Sequence, residues 1–401
     1  MNDALAPVRD YRTRPTRLVV GLMTGTSADA VDAVLVRFTG EGLAARHEVL
    51  AECERPLDAA LRDEVLAIAG ADTVEPERLM TPDADLAETY AKVVGEVCTL
   101  ARVAVRDLTA IGSHGQTVRH VPRAAGGGRA LSLQVGSPAT LAERTGVTVV
   151  ADFRRRDTAA GGEGAPLVPI ADHWLFRSTE ESRVLLNLGG MANITWLPRG
   201  GGLADVLAFD TGPGNAVLDG LVRIATRGLA RHDDGGGLAA SGRVHAPLLT
   251  ELLADPFFAL PPPRSTGRER FGEGYAEKLT AIAEAMGLSF EDTLATAVEL
   301  TAASIADAIA RWVTPDGRPD ALYASGGGVH NRTLMAAIER RLSGVRVARL
   351  ESLGVSSGIK EALAFAFLAH LTLCGEPGNV PGATGARHPV VLGSITPGGG
   401  A

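Results

Sequence analysis

Apolar positions along the chain recur in two rhythms. Short β-rich runs bounded by glycine turns predict strands over Leu18–Leu22 and Val31–Phe38. Helical spacing follows over Pro56–Ala69 and, more strongly, over Pro82–Val103. Ala110–Ser113, Ser132–Val135 and Val147–Ala151 read as further short strands, with a helix opening at Ser137-Pro138, a capping residue before a first-turn proline. The pattern then starts again. Val184–Leu188 is apolar, Gly189-Gly190 turns the chain, and Ala192–Leu197 and Val206–Phe209 are strands. Helices are predicted over Asn215–Thr226, Tyr275–Met286 and Thr293–Trp312. After them come a strand, Ala321–Ala324, a helix from about Asn331, and a last helix over Ile359–Leu373. Residues 1–16 are polar and read as a loose tail, and Gly375–Gly400 is rich in proline and glycine.

Strands alternating with helices indicate an α/β architecture. The strand–glycine turn–strand at Leu18–Phe38 is echoed at Val184–Leu197, a faint internal duplication that suggests two related domains around a cleft. The Gly126–Gly128 run reads as a hairpin tip and not as a domain linker. The length of 401 residues is enough for two domains, each with its own core. Hydrophobic content of 45% with 21% charged residues suits a soluble globular enzyme. A net charge of -8 weighs against a nucleic-acid binder, because no basic excess exists to displace counterions. Cys53, Cys98 and Cys374 form no CxxC pair and read as reduced thiols. The first residues lack the apolar core of a secretory signal. No uncharged apolar run approaches the ~18 residues of a membrane span, so none is expected.

Four turns carry candidate chemistry. Gly21-Leu-Met-Thr-Gly-Thr-Ser-Ala-Asp-Ala-Val-Asp32 lies between two β-rich runs and offers amides and hydroxyls to anionic phosphates. Asp29 and Asp32 within it could reach Mg²⁺ directly or through water. Phe209-Asp-Thr-Gly-Pro-Gly-Asn215 places a carboxylate at a strand end, where a general base would face a cleft. Ser325-Gly-Gly-Gly-Val-His-Asn331 leads from strand to helix and lets a phosphate or a flat base lie against backbone. Ala151-Asp-Phe-Arg-Arg-Arg-Asp157 runs into a Gly/Pro segment, and its arginines could clamp a carboxylate or phosphate. Ser113-His-Gly-Gln-Thr117 and Lys360-Glu361 are further candidates. Each also has a plainer reading as a turn, a cap or a solvated charge run. No zinc-ligand spacing, Walker loop or Gly-x-Ser-x-Gly elbow is present.

Taken in order, these turns resemble the two phosphate loops and adenosine loop of the actin/hexokinase/Hsp70 superfamily. Within it, the stretches GLMTGTSADAVDA, IGSHGQTVRH, LQVGSPATLAERTG, VVADFRRRDTAAGGEGAPLVP, NLGGMANIT, FDTGPGN, ASGGGVHN, KEALAFAFLA, PGNVPGATGA and VVLGSITPG resemble the anhydro-N-acetylmuramic acid kinase family, over residues 18–398. The resemblance implies a two-domain actin-like ATPase (ribonuclease H-like) fold with an interdomain active-site cleft. It implies a flexible tail at 1–16, a first domain over 17–153 plus 376–401, and a second over 154–375. The implied activity belongs to cytoplasmic peptidoglycan recycling. Water opens 1,6-anhydro-N-acetylmuramic acid, and ATP with Mg²⁺ phosphorylates O6. No nucleic-acid or membrane partner is implied, and a homodimer stays open.

By position, Asp210 matches the family's catalytic residue. Gly25, Thr26, Ser27, Ala28, Asp29, Ala30, Val31 and Asp32 match the first phosphate loop. Gly212, Gly214 and Asn215 match the second, and Gly326, Gly327 and Gly328 the adenosine loop. Gln116, Thr117, Arg155, Arg156, Asp157 and Glu361 match the sugar pocket, arginine being apt for the lactyl carboxylate. The family usually has Ser at Thr24, Leu at Ala28, Gly at Ala30 and Gln at Glu163. Ala30 is expected to matter most, should that position need a positive φ. Two alternatives remain at this point, a levoglucosan-type anhydrosugar kinase and a non-catalytic sugar- or nucleotide-binding protein.

Overall fold

The computed structural model describes residues 5–123 and 128–399, so the Gly126–Gly128 run falls outside it except for Gly128. The chain divides into two compact units, one of residues up to Trp174 and from Gly358 onward, the other Leu175–Ser357.

In the first unit β1 (Thr16–Thr24) and β2 (Ala30–Thr39) carry runs of wholly buried residues, as strands covered on both faces do. β3 (Arg46–Pro56) was not expected from the pattern. It is an edge strand whose charged sequence leaves its first four residues exposed, so no apolar alternation marks it. β4 (Ala110–Ser113) and β7 (Val149–Ala151) are two more of the predicted strands. β5 (Gln116–Val121) and β6 (Leu131–Val135) form a separate antiparallel ribbon. The helix expected from Pro56 starts at Ala59, where Asp58 accepts from the Ala60 and Leu61 amides at 3.0 and 3.3 Å. The helix expected from Pro82 starts at Pro76 and carries Pro82 inside it.

The helix Lys360–Cys374 is apolar nearly all round and buried from Ala362 to Cys374. It lies against β1 and β4 because both strands have a glycine beneath it. A Cβ on Gly21 would sit 1.9 Å from the Ala362 carbonyl oxygen, and one on Gly112 would sit 2.2 Å from that of Phe365. Trp174 stacks on Phe367 of this helix at 4.0 Å between ring centroids and donates its indole N–H to the Ala45 carbonyl. These contacts place the division near residues 174 and 358 and not at the expected 153 and 375. The expected loose tail is also shorter. Tyr11 is fully buried, its hydroxyl lies 2.9 Å from His370 Nδ1, and its carbonyl accepts from the Arg17 guanidinium at 2.9 Å.

The second unit holds β8 (Arg183–Leu188), β9 (Met191–Leu197), β10 (Leu207–Pro213), β11 (Ala321–Ser325) and β12 (Arg346–Arg349). Its core helix, Phe290–Trp312, is capped by Ser289 and buried from Thr293 to Ile305. This helix is long and apolar enough to cross a membrane by length and composition, but 83% of its apolar window is buried inside the protein.

The two sheets share one topology. The first runs β7-β4-β1-β2-β3, with the short strand Ser394–Thr396 added beside β7, and the second runs β12-β11-β8-β9-β10. In each, the first three strands in sequence are antiparallel neighbours, and the next two join in parallel beside the first. The duplication suggested by two glycine turns is therefore present as a repeated ribonuclease H-like strand order.

Candidate active site

In the first unit, the β1–β2 connection is a tight turn in which the Ala28 amide donates to the Gly25 carbonyl at 3.0 Å. Thr26, Ser27 and Asp29 are exposed. The residue with positive φ is Ala28, at 50°, while Ala30 already belongs to β2. The concern about Ala30 therefore moves to Ala28, a buried non-glycine residue in the left-handed region. Thr24 is buried and its hydroxyl is engaged with Tyr90 OH at 2.9 Å, so it faces the core and not a ligand. Asp29 pairs with Arg62 at 2.8 Å. Asp32 is half-buried. Its carboxyl is pushed up to about 6, first by burial and then by the charges of Glu54 and Glu361.

The expected sugar-side residues separate into two groups. Gln116 is buried, and its amide donates to the Thr117 carbonyl at 3.2 Å. The Thr117 hydroxyl accepts from Gln134 at 3.1 Å. Glu361 opens the Lys360–Cys374 helix, and Lys360 pairs with the buried Asp172 at 3.0 Å. Glu361 is exposed at the surface, yet the protein crowding it raises its carboxyl, while Lys360 and Arg154 oppose the rise. Arg154 donates to His114 Nε2 at 3.2 and 3.0 Å. Burial lowers both partners, His114 to about 3 and Arg154 to about 10, so the imidazole is neutral and accepts.

Asp157 belongs with the scaffold. It is fully buried and accepts from the Gly164 amide, Asn379 Nδ2 and Thr384 Oγ1 at 2.8, 2.7 and 2.8 Å. Those three donors tie the carboxylate to the glycine loop and to the Asn379–Thr384 segment. Arg155 and Arg156 are exposed, and Arg155 pairs with Asp152 at 3.3 Å.

β4, β5 and β6 carry polar atoms that the sequence reading anticipated only in part. Ser113 Oγ, Gln116 Oε1, His120 Nδ1 and Gln134 Oε1 are buried without a hydrogen-bond partner among the described residues. Buried polar atoms are nearly always bonded. These four lie together on β4, β5 and β6. Ser113 and Gln116 fall within the candidate stretch Ser113–Thr117, whereas His120 and Gln134 lie outside it.

In the second unit, Asp210 sits on β10 where a bulge between Asp210 and Gly212 breaks the pairing with β9. One carboxylate oxygen accepts from the Thr266 amide at 2.8 Å. Arg264 holds the backbone on both sides. Its Nε donates to the Asp210 carbonyl at 2.9 Å, and its own carbonyl accepts from the Asp210 amide at 3.1 Å. Arg264 is buried, donates through Nη1 to the carbonyls of Phe257, Phe258 and Leu260, and lies over the rings of Phe209 and Phe257. Burial pushes the Asp210 carboxyl up to about 7, against the Thr266 N–H and the Arg264 charge, which hold it down. A carboxyl poised there suits a general base at neutral pH.

Gly212 has a positive φ of 149°, and Gly214 brings two turns of backbone together. The amides of Gly214, Asn215 and Ala216 donate to the carbonyls of Gly189 and Gly190 at 2.8–3.1 Å, so they are not available to a phosphate. A Cβ on Gly214 would lie 2.4 Å from the Gly189 oxygen, so glycine is needed for this close approach of two turns. Gly326 and Gly328 pack on Leu188 in the same manner. Gly327 and Asn215 line a cavity of about 460 Å³ together with His232, Asp233, Asp234 and Gly235. The His232–Gly235 segment carries no motif and was not anticipated.

Comparisons with known proteins agree over almost the whole chain. The family model described as anhydro-N-acetylmuramic acid kinase matches residues 17–398. The chain is 43% identical over 383 residues to the anhydro-N-acetylmuramic acid kinase of Caldanaerobacter subterraneus, covering 95% of this chain and 97% of that protein. It is 45% identical over 386 residues to that of Salinibacter ruber, covering 96% and 97%. It is 42% identical over 382 residues to that of Gloeobacter violaceus, covering 95% and 99%. Among solved structures, it is similar to the activator of 2-hydroxyisocaproyl-CoA dehydratase from Clostridium difficile with bound ADPNP. The TM-score is 0.43 at 12% identity, covering 89% of this chain and 95% of that one. It is also similar to a ROK hexokinase from Thermus thermophilus, with TM-score 0.35 and 17% identity over 88% and 98% of the two chains. With a family match over nearly the whole chain and relatives above 40% identity along nearly their whole length, the chain belongs to the anhydro-N-acetylmuramic acid kinase family.

Proposed function

We propose that this kinase opens the 1,6-anhydro bridge of anhydro-N-acetylmuramic acid with water and transfers the γ-phosphoryl group of ATP to O6. The products are N-acetylmuramic acid 6-phosphate and ADP, and the setting is cytoplasmic peptidoglycan recycling. The observation that carries the reading is Asp210, a carboxyl pushed up to about 7 and fixed by the Thr266 amide. As general base, Asp210 takes a proton from water while the water oxygen bonds to the anomeric carbon. The electron pair of the breaking bond stays on O6, which attacks the γ-phosphorus and displaces ADP.

The Gly25–Asp32 turn would bind phosphate oxygens through its exposed Thr26 and Ser27 and its backbone. The cavity lined by Asn215, Gly327 and His232–Gly235 is of a size to take the adenosine part of ATP. Among the described residues, no group of three His, Cys, Asp or Glu could cage a metal. Mg²⁺ needs no such cage, since it uses one or two carboxylates and completes its shell with phosphate oxygens and water. Asp32 fits that part better than Asp29, which is tied to Arg62. Bound there, Mg²⁺ would neutralise charge on the β- and γ-phosphate oxygens.

Gln116, Thr117 and Glu361, joined by Ser113, His120 and Gln134, would take the polar groups of the sugar. Arg155 and Arg156 remain the proposed contacts to the lactyl carboxylate. The two compact units are taken as the two domains. Mass spectrometry of the product formed from the anhydrosugar, ATP and Mg²⁺ tests the reading. The product should weigh the substrate plus one water plus one phosphoryl group, and a product lacking the water would contradict it.

A further inference from the structure

The segment that holds Asp210 carries one group that neither the scaffold nor the proposed reaction has so far used. Thr266 donates its backbone amide to Asp210 Oδ2 at 2.8 Å. The hydroxyl of the same residue, Oγ1, is buried and has no hydrogen-bond partner among the described residues. A buried hydroxyl left unbonded is costly, so native proteins seldom retain one without a ligand or water to complete it. The backbone of this residue is held at the carboxylate by that amide bond. Arg264, two residues earlier, is bonded to Asp210 through both its guanidinium and its carbonyl, and is pinned by three further carbonyls.

We propose that Thr266 is a second catalytic residue, whose hydroxyl binds the attacking water together with Asp210. The inference rests on the proposed role of Asp210. A water held by one carboxylate oxygen is free to turn about that bond. If its second O–H is accepted by Thr266 Oγ1, its lone pair has one direction left, toward the anomeric carbon. The proton balance is unchanged: one water proton passes to Asp210, the other stays on the new anomeric hydroxyl, and Thr266 neither gains nor loses a proton. A hydroxyl suits this task because it stays neutral throughout the working pH range and accepts at any rotor setting.

The test compares Thr266→Val, Thr266→Ser and Asp210→Asn with wild type, measuring kcat, KM for each substrate and melting temperature. Valine keeps the shape and the backbone N–H but removes the hydroxyl; serine restores it. The expected result is a loss of about 10²-fold in kcat for Thr266→Val, the scale of a misplaced reactant. KM for ATP should be little changed, and Thr266→Ser should stay within a few-fold of wild type. Near-normal turnover by Thr266→Val, with Asp210→Asn inactive, overturns the assignment while leaving the role of Asp210 intact. Equal losses in the valine and serine variants also overturn it, since they mark a packing role. Normal turnover by Asp210→Asn removes the reading on which this one stands.

Discussion

Asp210 binds its proton more tightly in the fold than outside it, and two consequences follow at the scale of this residue. Activity requires the ionised form, so kcat/KM should fall on the acid side with a midpoint near the folded value of about 7. Stability moves the other way. The unfolded carboxyl titrates at 3.8, so between that value and about 7 the folded state holds more protons. Stability therefore falls as pH rises through this window, and the ionised, partly buried carboxylate costs stability above it. Asp210→Asn, which cannot ionise, should melt higher than wild type at about pH 8, with the gap closing toward about pH 4. Equal melting temperatures at both pH values would show that the carboxyl is not desolvated. Asp157 makes a contrasting case. Because it accepts three buried hydrogen bonds, Asp157→Ala should unfold at lower denaturant, with a loss of about 3 kcal/mol or more. A variant of normal stability with only a raised KM for sugar would restore it to the pocket.

At the scale of elements, glycine decides where two pieces of backbone meet. Gly21 and Gly112 let the Lys360–Cys374 helix rest on β1 and β4. Gly21→Ala should therefore destabilise by at least the ~1–3 kcal/mol of an overpacked core, read by chemical denaturation. Gly327 differs, since a side chain there would meet only Asn215, at 3.9 Å. Gly327→Asp should fold normally yet raise KM for ATP about tenfold or more, by filling and charging the cavity. An unchanged KM would remove the nucleotide from that cavity. The same elements show what the sequence could and could not reveal. Buried strands such as β1 and β8 announce themselves as apolar runs. β3 and β12, with the sequences RHEVLAECERP and RVAR, lie at sheet edges where charge is tolerated and no pattern survives. Gln134 and Thr266 were invisible for another reason: their significance is an unbonded buried atom, which only the fold creates.

At the scale of the molecule, two copies of one strand order lie in a single chain, and the pair of glycine turns that hinted at this are the β1–β2 and β8–β9 connections. The division between units was less legible than the repeat. It depends on which sheet the Lys360–Cys374 helix packs against, and a helix apolar all round carries no sign of its neighbour. The N-terminal segment precedes the family match, yet Tyr11 is buried at its end. Tyr11→Ala should lower stability by about 3 kcal/mol, the cost of a truncated buried aromatic, without altering KM for ATP. A melting temperature equal to wild type would return these residues to the status of a loose tail.

The central claim is that one carboxylate on β10 activates the water that opens the anhydrosugar. Release of ADP by Asp210→Asn, supplied with anhydro-N-acetylmuramic acid, ATP and Mg²⁺, tests it most directly. The account predicts a rate lower by at least about 10²-fold than wild type, with nucleotide binding retained. Turnover close to that of the wild-type enzyme would contradict it.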